Sequence, residues 1–211
     1  MSNSAQIQAR LVMDADHYRF VASEIPNARV SVWITTANLK TMLVEAPIGT
    51  RARARGRYVS FFETLGELAQ RGLDVCILHA SPPGRFLGPE LAKASPKIRL
   101  RMCPRIHMKM IAIDGRLLYL GSANLTGAGL GAKGDKKRNF EMGIVTDDER
   151  MLDAAQARFD AIWRGKECGS CQLRRVCPAP LDVTPMKKTK LPLVTSRERS
   201  RRACRSPASP R

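Results

Sequence analysis

Two nitrogen-bearing side chains share one short apolar stretch of the sequence. His107 and Lys109 stand two residues apart in a run predicted to be a buried strand over residues 106–113. Because strand side chains alternate between faces, both project from the same side, roughly 6–7 Å apart along the strand. A titratable nitrogen and a cation are costly on an apolar strand unless that face lines a site. The pair is suited to phosphate chemistry, because the lysine can bind phosphate oxygens and the histidine nitrogen can attack phosphorus.

The residues after this strand add further polar groups. An Asp-Gly dipeptide begins at Asp114 and favours a tight hairpin turn, because both central residues of such a turn need positive φ. The returning strand, predicted over residues 116–121, ends in small and polar residues that include Ser122 and Asn124. A hydroxyl and an amide therefore join the imidazole and the ammonium at one predicted site.

The spacing of these residues resembles the signature of the phospholipase D superfamily, H-x-K-x4-D-x6-G-S-x-N. Asn139-Phe-Glu141 similarly resembles the N-x-E element that follows the motif in that superfamily. The superfamily includes lipases, nucleases, lipid synthases and toxins, so the motif alone leaves the substrate open. The positions that match are His107, Lys109, Asp114, Gly121, Ser122, Asn124, Asn139 and Glu141.

The resemblance also implies a mechanism. Superfamily chemistry needs two copies of the motif and this chain has one, so the likeness to single-motif bacterial endonucleases implies a homodimer in which two His107 side chains meet. One imidazole would form a phosphohistidine, and the other would act as general acid and then base. No catalytic metal is required. Lys109, Ser122 and Asn124 would hold phosphate oxygens, while Glu141 and Asp114 would orient the imidazole or brace the loop.

The charge of the chain points to a polyanionic partner. The 211 residues carry a net charge of +17. Residues 185–211 hold nine Lys and Arg against one acid, a net +8, which leaves +9 for the body. Nucleic acid is the first expectation. A phospholipase or phosphatidyl transferase is less favoured, because no amphipathic helix or exposed apolar loop is evident. A nucleic-acid-binding protein with a decayed site is the third alternative, and the intact motif argues against it.

Two basic clusters flank the motif. One lies upstream of it, and a second lies in a glycine-rich loop after it. Guanidinium and ammonium groups pair well with phosphate oxygens, so we predict nucleic-acid contacts, with a solvated loop as the equally weighted alternative for the first cluster. The predicted contacts are Arg51, Arg53, Arg55, Arg57, Lys133, Lys136 and Lys137.

Three cysteines follow one another closely near the C-terminus. Cys168, Cys171 and Cys177 have the spacing C-x2-C-x5-C, which allows them to converge on one ion. We expect Cys103, in a proline-flanked turn, to be the fourth ligand. The spacing resembles the iron–sulfur cysteines of RecB-like nucleases, so a structural 4Fe–4S cluster or zinc is predicted. The alternative is free or disulfide-bonded cysteines.

The alternation of strands and helices predicts an α/β protein. The resemblance implies a phospholipase D-like layered α/β/α domain with a mixed sheet over residues 1–166. A Cys-rich metal-binding element over 167–180 and a disordered basic tail over 181–211 would follow. No signal peptide or membrane-spanning run is evident, and the six cysteines fit thiols or metal ligands, so a cytoplasmic location is expected. Predicted helices include 16–28, 86–95 and one opened by a capping box over 146–149, and predicted strands include 30–36, 73–79, 98–102 and 140–146.

Overall fold

The computed structural model describes residues 6–46, 48–82, 87–94 and 96–183. Most of the predicted basic tail, residues 184–211, lies outside the described residues. The chain packs against the body as far as Leu181, which is buried even though it falls within the stretch predicted as tail. The prediction of disorder used the overall composition of residues 181–211, and it therefore overlooked this single apolar side chain, which packs into the core.

A seven-stranded mixed sheet forms the centre of the fold, as predicted. Its strand order is β1-β9-β8-β7-β2-β5-β6, and a separate hairpin pairs β3 with β4. Strands β2, β5 and β6 run parallel to one another, while the remaining neighbours are antiparallel. The strands are β1 (Arg10–Met13), β2 (Ser31–Thr36), β3 (Leu43–Glu45), β4 (Tyr58–Ser60), β5 (Asp74–His79), β6 (Arg99–Met102), β7 (Met110–Ile113), β8 (Leu117–Gly121) and β9 (Met142–Thr146).

Five α-helices accompany the sheet in the described part of the chain. They are α1 (Asp16–Phe20), α2 (Arg51–Ala54), α3 (Phe61–Gln70), α4 (Leu87–Lys93) and α5 (Glu149–Trp163). The predicted helix over 16–28 is broken, because Val21 leaves the helical region at φ −124° and a 3-10 turn, Ala22–Asn27, follows. The N-cap of α5 is Asp148, whose side chain accepts from the Met151 N–H, and not Thr146. Within the described ranges, no helix combines the length and apolarity that crossing a membrane requires.

The sheet is covered on both faces, which confirms the layered α/β/α architecture. Strand side chains alternate, so Val32 and Ile34 of β2 join the core beneath α1 and α3, while Trp33 between them faces α5. The Trp33 ring stacks on Phe159 of α5 at a centroid distance of 5.0 Å. Phe159 in turn stacks on Trp163 at 5.6 Å. The sheet is therefore a buried platform that holds its strand ends in fixed positions.

The predicted hairpin turn is present between β7 and β8. Asp114 and Gly115 both have positive φ, 54° and 62°. The strand before the turn is shorter than predicted, because β7 begins at Met110 and not at Ile106. Met110 pairs with Thr35 near the end of β2, so the residues before it extend past the partner strand.

Two of the three histidines belong to the core. His17 is fully buried, and its Nδ1 donates to the Asp14 carbonyl at 3.1 Å. His79 ends β5, and its Nδ1 donates to the Ser81 carbonyl at 2.9 Å. Burial lowers the pKa of both imidazoles, although the carbonyl partners oppose the shift. His107 is the only exposed histidine of the chain.

These two buried histidines should make the protein sensitive to mild acid. The unfolded chain binds protons below about pH 6.5, where the folded imidazoles stay neutral, so stability falls as pH drops. The expected slope is up to about 1.4 kcal/mol per pH unit for each histidine. Urea unfolding between pH 8 and pH 5 measures it. His79→Asn, whose amide replaces the Nδ1 donor, should flatten the slope, whereas Arg71→Ala, which removes an exposed group that stays charged throughout this range, should leave it unchanged. A pH-independent midpoint in the wild type would refute this account.

Candidate active site

The motif histidine and lysine lie at the edge of the sheet where two parallel strands end. Strands β2 and β5 finish together, with Thr36 opposite His79. The segment that carries His107 and Lys109 precedes β7 and runs beside this edge, because β7 is antiparallel to β2. In open α/β sheets, ligands bind in the crevice beyond the carboxyl ends of the parallel strands. The location therefore fits a reaction site.

His107 and Lys109 contact each other directly. The Lys109 Nζ lies 3.2 Å and 3.3 Å from the two ring nitrogens of His107, and 2.8 Å from the His107 carbonyl oxygen. The imidazole is exposed to solvent. The Lys109 carbonyl accepts from the Gly121 N–H at 3.1 Å, which joins this segment to the end of β8. The structure thus joins the segment that carries an accessible imidazole and a cation to the Gly-Ser element at the end of β8.

Ser122 is held by Glu141. The Ser122 hydroxyl donates to Glu141 Oε2 and accepts from the Met142 N–H at 3.0 Å. Glu141 Oε1 accepts from the Asn139 amide at 3.0 Å. The Glu141 carboxylate is thereby committed to Ser122 and Asn139, and its geometry supports a role in positioning the serine.

Asp14 anchors Glu141 and was missed by the sequence reasoning. The Asp14 side chain accepts from the Glu141 N–H at 3.1 Å, and the Asp14 N–H donates to the Glu141 carbonyl at 3.1 Å. Asp14 has a φ of 45°, which Asp tolerates better than most residues. The sequence signal was weak: an aspartate directly after β1, with its partner 127 residues away.

Asn124 ties the end of β2 to the motif. Its Oδ1 accepts from the Ala37 and Asn38 N–H groups at 3.1 Å each and lies 3.3 Å from the Thr36 hydroxyl. With the carbonyl oxygen held by these donors, the amide NH₂ is the remaining donor of this side chain. Asn124 can therefore brace the loop after β2 and still offer hydrogen bonds to a ligand.

Asp114 lies away from the imidazole. It follows β7, whereas His107 precedes that strand, so the two residues are at opposite ends of it. The Asp114 carboxylate accepts from three successive N–H groups, those of Arg29, Val30 and Ser31, at 2.8–3.1 Å. Of the two roles expected for Asp114, this geometry does not fit orientation of the His107 imidazole; it fits the alternative, a brace, which here joins the hairpin to the start of β2.

The glycine of the Gly-Ser element is required by close packing. A Cβ at Gly121 would come within 2.3 Å of the Tyr119 hydroxyl, and one at Gly143 would come within 2.5 Å of the Tyr119 ring. Tyr119 is fully buried, and its oxygen accepts from the Ala123 N–H at 3.1 Å. The ring lies against β8 and β9 and supports the turn that carries Ser122.

The basic residues predicted to contact nucleic acid occupy several surfaces. Arg53 is paired with Glu45 of β3 and is committed to that contact. The other three arginines are exposed on α2 or directly after it. Lys133 packs over Gly127, which follows Asn124 by three residues, so this lysine lies near the motif. Lys136 and Lys137 are exposed in a short 3-10 helix just before Asn139.

An exposed apolar patch adjoins Ser122 and Glu141. We define the apolar patch as Leu11, Met13, Phe140 and Met142. Met13 and Met142 face each other across the β1–β9 pair, and Leu11 lies on the same face. Phe140 is 97% exposed and lies just outside β9. The sequence-based expectation that no apolar loop is exposed is therefore wrong, because Phe140 lies in the loop before β9, which begins at Met142 and not at residue 140.

The structure brings together all four cysteines that the sequence grouped. They line one small cavity of about 20 Å³. Across the described ranges, no three Cys, His, Asp or Glu side chains stand close enough to hold a metal ion as they are. Metal binding at these thiols thus stays a prediction. The four residues are Cys103, Cys168, Cys171 and Cys177.

Comparison with known proteins agrees with this geometry. The family described as "Cardiolipin synthase, PLD-like domain" matches residues 21–163. NucT from Helicobacter pylori is 19% identical with a TM-score of 0.52, over 74% of this chain and 94% of that one. Nuc from Salmonella typhimurium, a phospholipase D family member, is 19% identical with a TM-score of 0.53, over 75% and 95%. Phosphatidylserine synthase from Haemophilus influenzae is 13% identical with a TM-score of 0.51, over 86% and 40%.

No curated protein matches the chain. At these low identities the solved structures establish the fold and leave the substrate open. The family match is broader than the motif, since it extends from the turn before β2 to the last residue of α5. The matched region contains β2 to β9, α2 to α5 and the His107 motif, and the chain therefore belongs to the phospholipase D-like family.

Proposed function

We propose that the protein is a phosphodiesterase that cleaves DNA or RNA, without a catalytic metal, through a phosphohistidine on His107. Phosphodiester chemistry follows from the family. The observation that carries the proposal is the exposed imidazole in contact with Lys109, on a chain whose net charge is +17. The cytoplasmic location stays a prediction from the sequence.

The groups at the site can perform both halves of a double displacement. A His107 ring nitrogen attacks phosphorus, and the bond to the leaving oxygen breaks as a second imidazole donates a proton to it. Water then attacks phosphorus, gives its proton to that second imidazole, and breaks the P–N bond. Lys109, the Ser122 hydroxyl and the Asn124 amide would stabilise the charge on the nonbridging oxygens.

The second imidazole must come from another copy of the chain. His17 and His79 are buried in the core and donate to backbone carbonyls, so neither is available to the substrate. A homodimer with two-fold symmetry would bring a second His107 to the same phosphate. We propose that the apolar patch beside Ser122 packs against the partner, because its position would hold the two motifs together.

Mixing experiments should reveal the shared site. After subunit exchange, an equal mixture of wild type and His107→Ala should retain about one quarter of the activity of the same total amount of wild type, because only wild-type dimers hold two imidazoles. Independent sites would retain about one half. Phe140→Ser should raise the dimer dissociation constant in sedimentation without unfolding the protein. A monomer that is fully active would contradict the shared site.

Nucleic acid is the proposed substrate because of the charge of the molecule. Exposed Arg51, Arg55 and Arg57, together with the lysines of the 3-10 helix, provide phosphate contacts. Each phosphate contact that is lost should lower the slope of log affinity against log salt by about 0.7–0.9. The slope should decrease in a variant with Arg51, Arg55 and Arg57 all replaced by alanine. Arg71, an exposed arginine after α3, is the control, and the slope should decrease less in Arg71→Ala.

A lipid substrate is the second candidate function. The description of the matched family favours it, and the apolar patch offers a surface that can insert into a membrane. The two functions separate in one assay: purified protein in EDTA is offered plasmid, single-stranded DNA, RNA and phosphatidylcholine vesicles. We expect cleavage of at least one nucleic acid and no release of choline. Choline release without nucleic-acid cleavage would replace the proposal with the lipid function, and binding without any cleavage would indicate a decayed site.

A further inference from the structure

The four clustered cysteines form a site that phosphodiester cleavage does not use. We propose that Cys103, Cys168, Cys171 and Cys177 together bind one metal centre that prefers thiolates, either a single zinc ion or a 4Fe–4S cluster. The centre would join the C-terminal segment (residues 165–183) to the turn between β6 and β7. Four thiolates suit both kinds of centre.

The shape of the C-terminal segment places three of the thiols. The chain leaves α5 at Gly165, whose φ is 74°, and a Cβ there would come within 2.3 Å of the Asp182 nitrogen. The segment therefore closes on itself, with its last described residues crossing directly over its first. Within this loop the Leu181 N–H donates to the Cys168 sulfur at 3.3 Å. Amide donors of this kind stabilise the negative charge of a metal-bound thiolate.

The fourth thiol comes from the body of the protein. Cys103 follows β6 directly, and its N–H donates to the His79 carbonyl at 2.9 Å, which holds the residue at the strand end. Arg101 holds the C-terminal segment against the same strand, since it donates to the carbonyls of Trp163 and Leu181. The two parts of the site are thus fixed against each other by contacts that do not involve the thiols.

The surroundings match the charge and chemistry of a thiolate centre. Four thiolates around a dication carry a net charge of about −2. Arg105 and Arg174 line the cavity beside the thiols, and Arg101 donates to the carbonyl of Leu181, the residue whose N–H binds the Cys168 sulfur. The cavity contains no carboxylate or imidazole among its lining residues. Its volume of about 20 Å³ exceeds the roughly 10–15 Å³ that one water-sized occupant needs, so the cavity as it stands has room for a single zinc ion, whereas a 4Fe–4S cluster would require the four thiols to move apart.

Cys76, which is buried whereas the four clustered cysteines are only partly buried, shows the contrast. Cys76 lies within β5, where it donates to Asp74 at 3.3 Å. Burial raises its pKa to about 12, with a further contribution from Asp74. Cys76 therefore stays a neutral thiol in the core. It does not line the cavity.

The centre would act on the position of the segment that carries His107. The turn from Cys103 is closed by a hydrogen bond from the Ile106 N–H to the Cys103 carbonyl at 2.9 Å, and His107 follows at once. Clamping Cys103 to the C-terminal segment would hold the approach to His107 in place. Loss of the metal should thus loosen the C-terminal segment first and the reactive imidazole second.

The test is elemental analysis of the full-length protein purified without oxygen. We expect one zinc, or about four irons with equal sulfide and a brown colour, per chain. Each single Cys→Ser variant of the four should lose the metal and melt at a lower temperature. Cys204→Ser, which alters a cysteine outside the described residues, is the matched control and should keep the full content.

Metal-free wild type in which all four thiols react freely with a thiol reagent would overturn the proposal. Full metal content in Cys103→Ser would overturn it as well, because the centre would then not reach the body of the protein. Where a variant fails to fold, cobalt uptake by unmutated protein keeps the proposal testable. Tetrahedral thiolate coordination gives intense visible absorption, and its absence after reconstitution, in protein without iron, would refute the site.

Discussion

Replacing His107 with alanine should lower the rate of phosphodiester cleavage by at least about 1,000-fold while leaving the folded structure unchanged. The imidazole is exposed and its only described polar contacts are with Lys109, so its removal creates no cavity in the core. The loss should appear in kcat, because the side chain acts on the reacting phosphorus and contributes little to binding the rest of a long polyanion.

The measurement pairs single-turnover cleavage with thermal unfolding. His107→Gln, which keeps a polar side chain of similar size, should be as inactive as the alanine variant because an amide is not a nucleophile. Arg71→Ala removes an exposed basic residue elsewhere and should stay near wild-type activity. Wild-type cleavage should persist in EDTA. Activity that disappears with the chelator and returns with magnesium, in protein that remains folded throughout, would be incompatible with the proposed chemistry.

Replacing Asp114 with alanine should lower the free energy of unfolding by about 2–4 kcal/mol. The carboxylate is nearly buried, with 7% of its side chain exposed, and the substitution leaves three backbone N–H groups without their acceptor. Alanine also fits the left-handed backbone at this position poorly. Burial alone would raise the pKa of Asp114, but the N–H donors of Ser31, Val30 and Arg29 outweigh it and hold the pKa below its usual value.

Urea unfolding at neutral pH measures this loss. The free energy of unfolding should fall less in Asp114→Asn, because asparagine tolerates the backbone conformation of the turn and keeps one acceptor oxygen. Asp153→Ala, an exposed carboxylate on α5, should stay within about 0.5 kcal/mol of wild type. The difference between wild type and Asp114→Ala should shrink as pH falls below about 4, because Asp114 of the unfolded chain takes up a proton there, before the folded carboxylate with its lower pKa does. A loss below about 1 kcal/mol at neutral pH would show that the brace is unimportant.

The parts of the site that the sequence predicted are those that depend on local spacing. His107 and Lys109 are two residues apart, and any extended conformation brings them to one side. The Asp-Gly turn is likewise set by the backbone preferences of its two residues. The roles of Asp114 and Glu141 depend on partners far away in the chain. The motif therefore identifies these two residues but does not predict what they contact.

The errors at strand ends have a common cause. Hydrophobic runs predict where a strand is possible, whereas its true limits depend on how far the neighbouring strands extend. β7 starts at Met110 because β2 ends beside it, and β9 starts at Met142 because β1 ends at Met13. Phe140 consequently lies in solvent. The Tyr119 ring beneath Gly121 was also invisible to sequence reasoning, since only the folded sheet brings them together.

The most direct test of the central claim is the stereochemistry of cleavage at phosphorus. An oligonucleotide with one phosphorothioate of known configuration is cleaved in heavy-oxygen water with EDTA present, and the configuration of the product is determined. Attack by His107 followed by attack of water inverts phosphorus twice, so the account predicts net retention. Net inversion would show that water attacks the phosphodiester in a single step and would contradict a phosphohistidine intermediate.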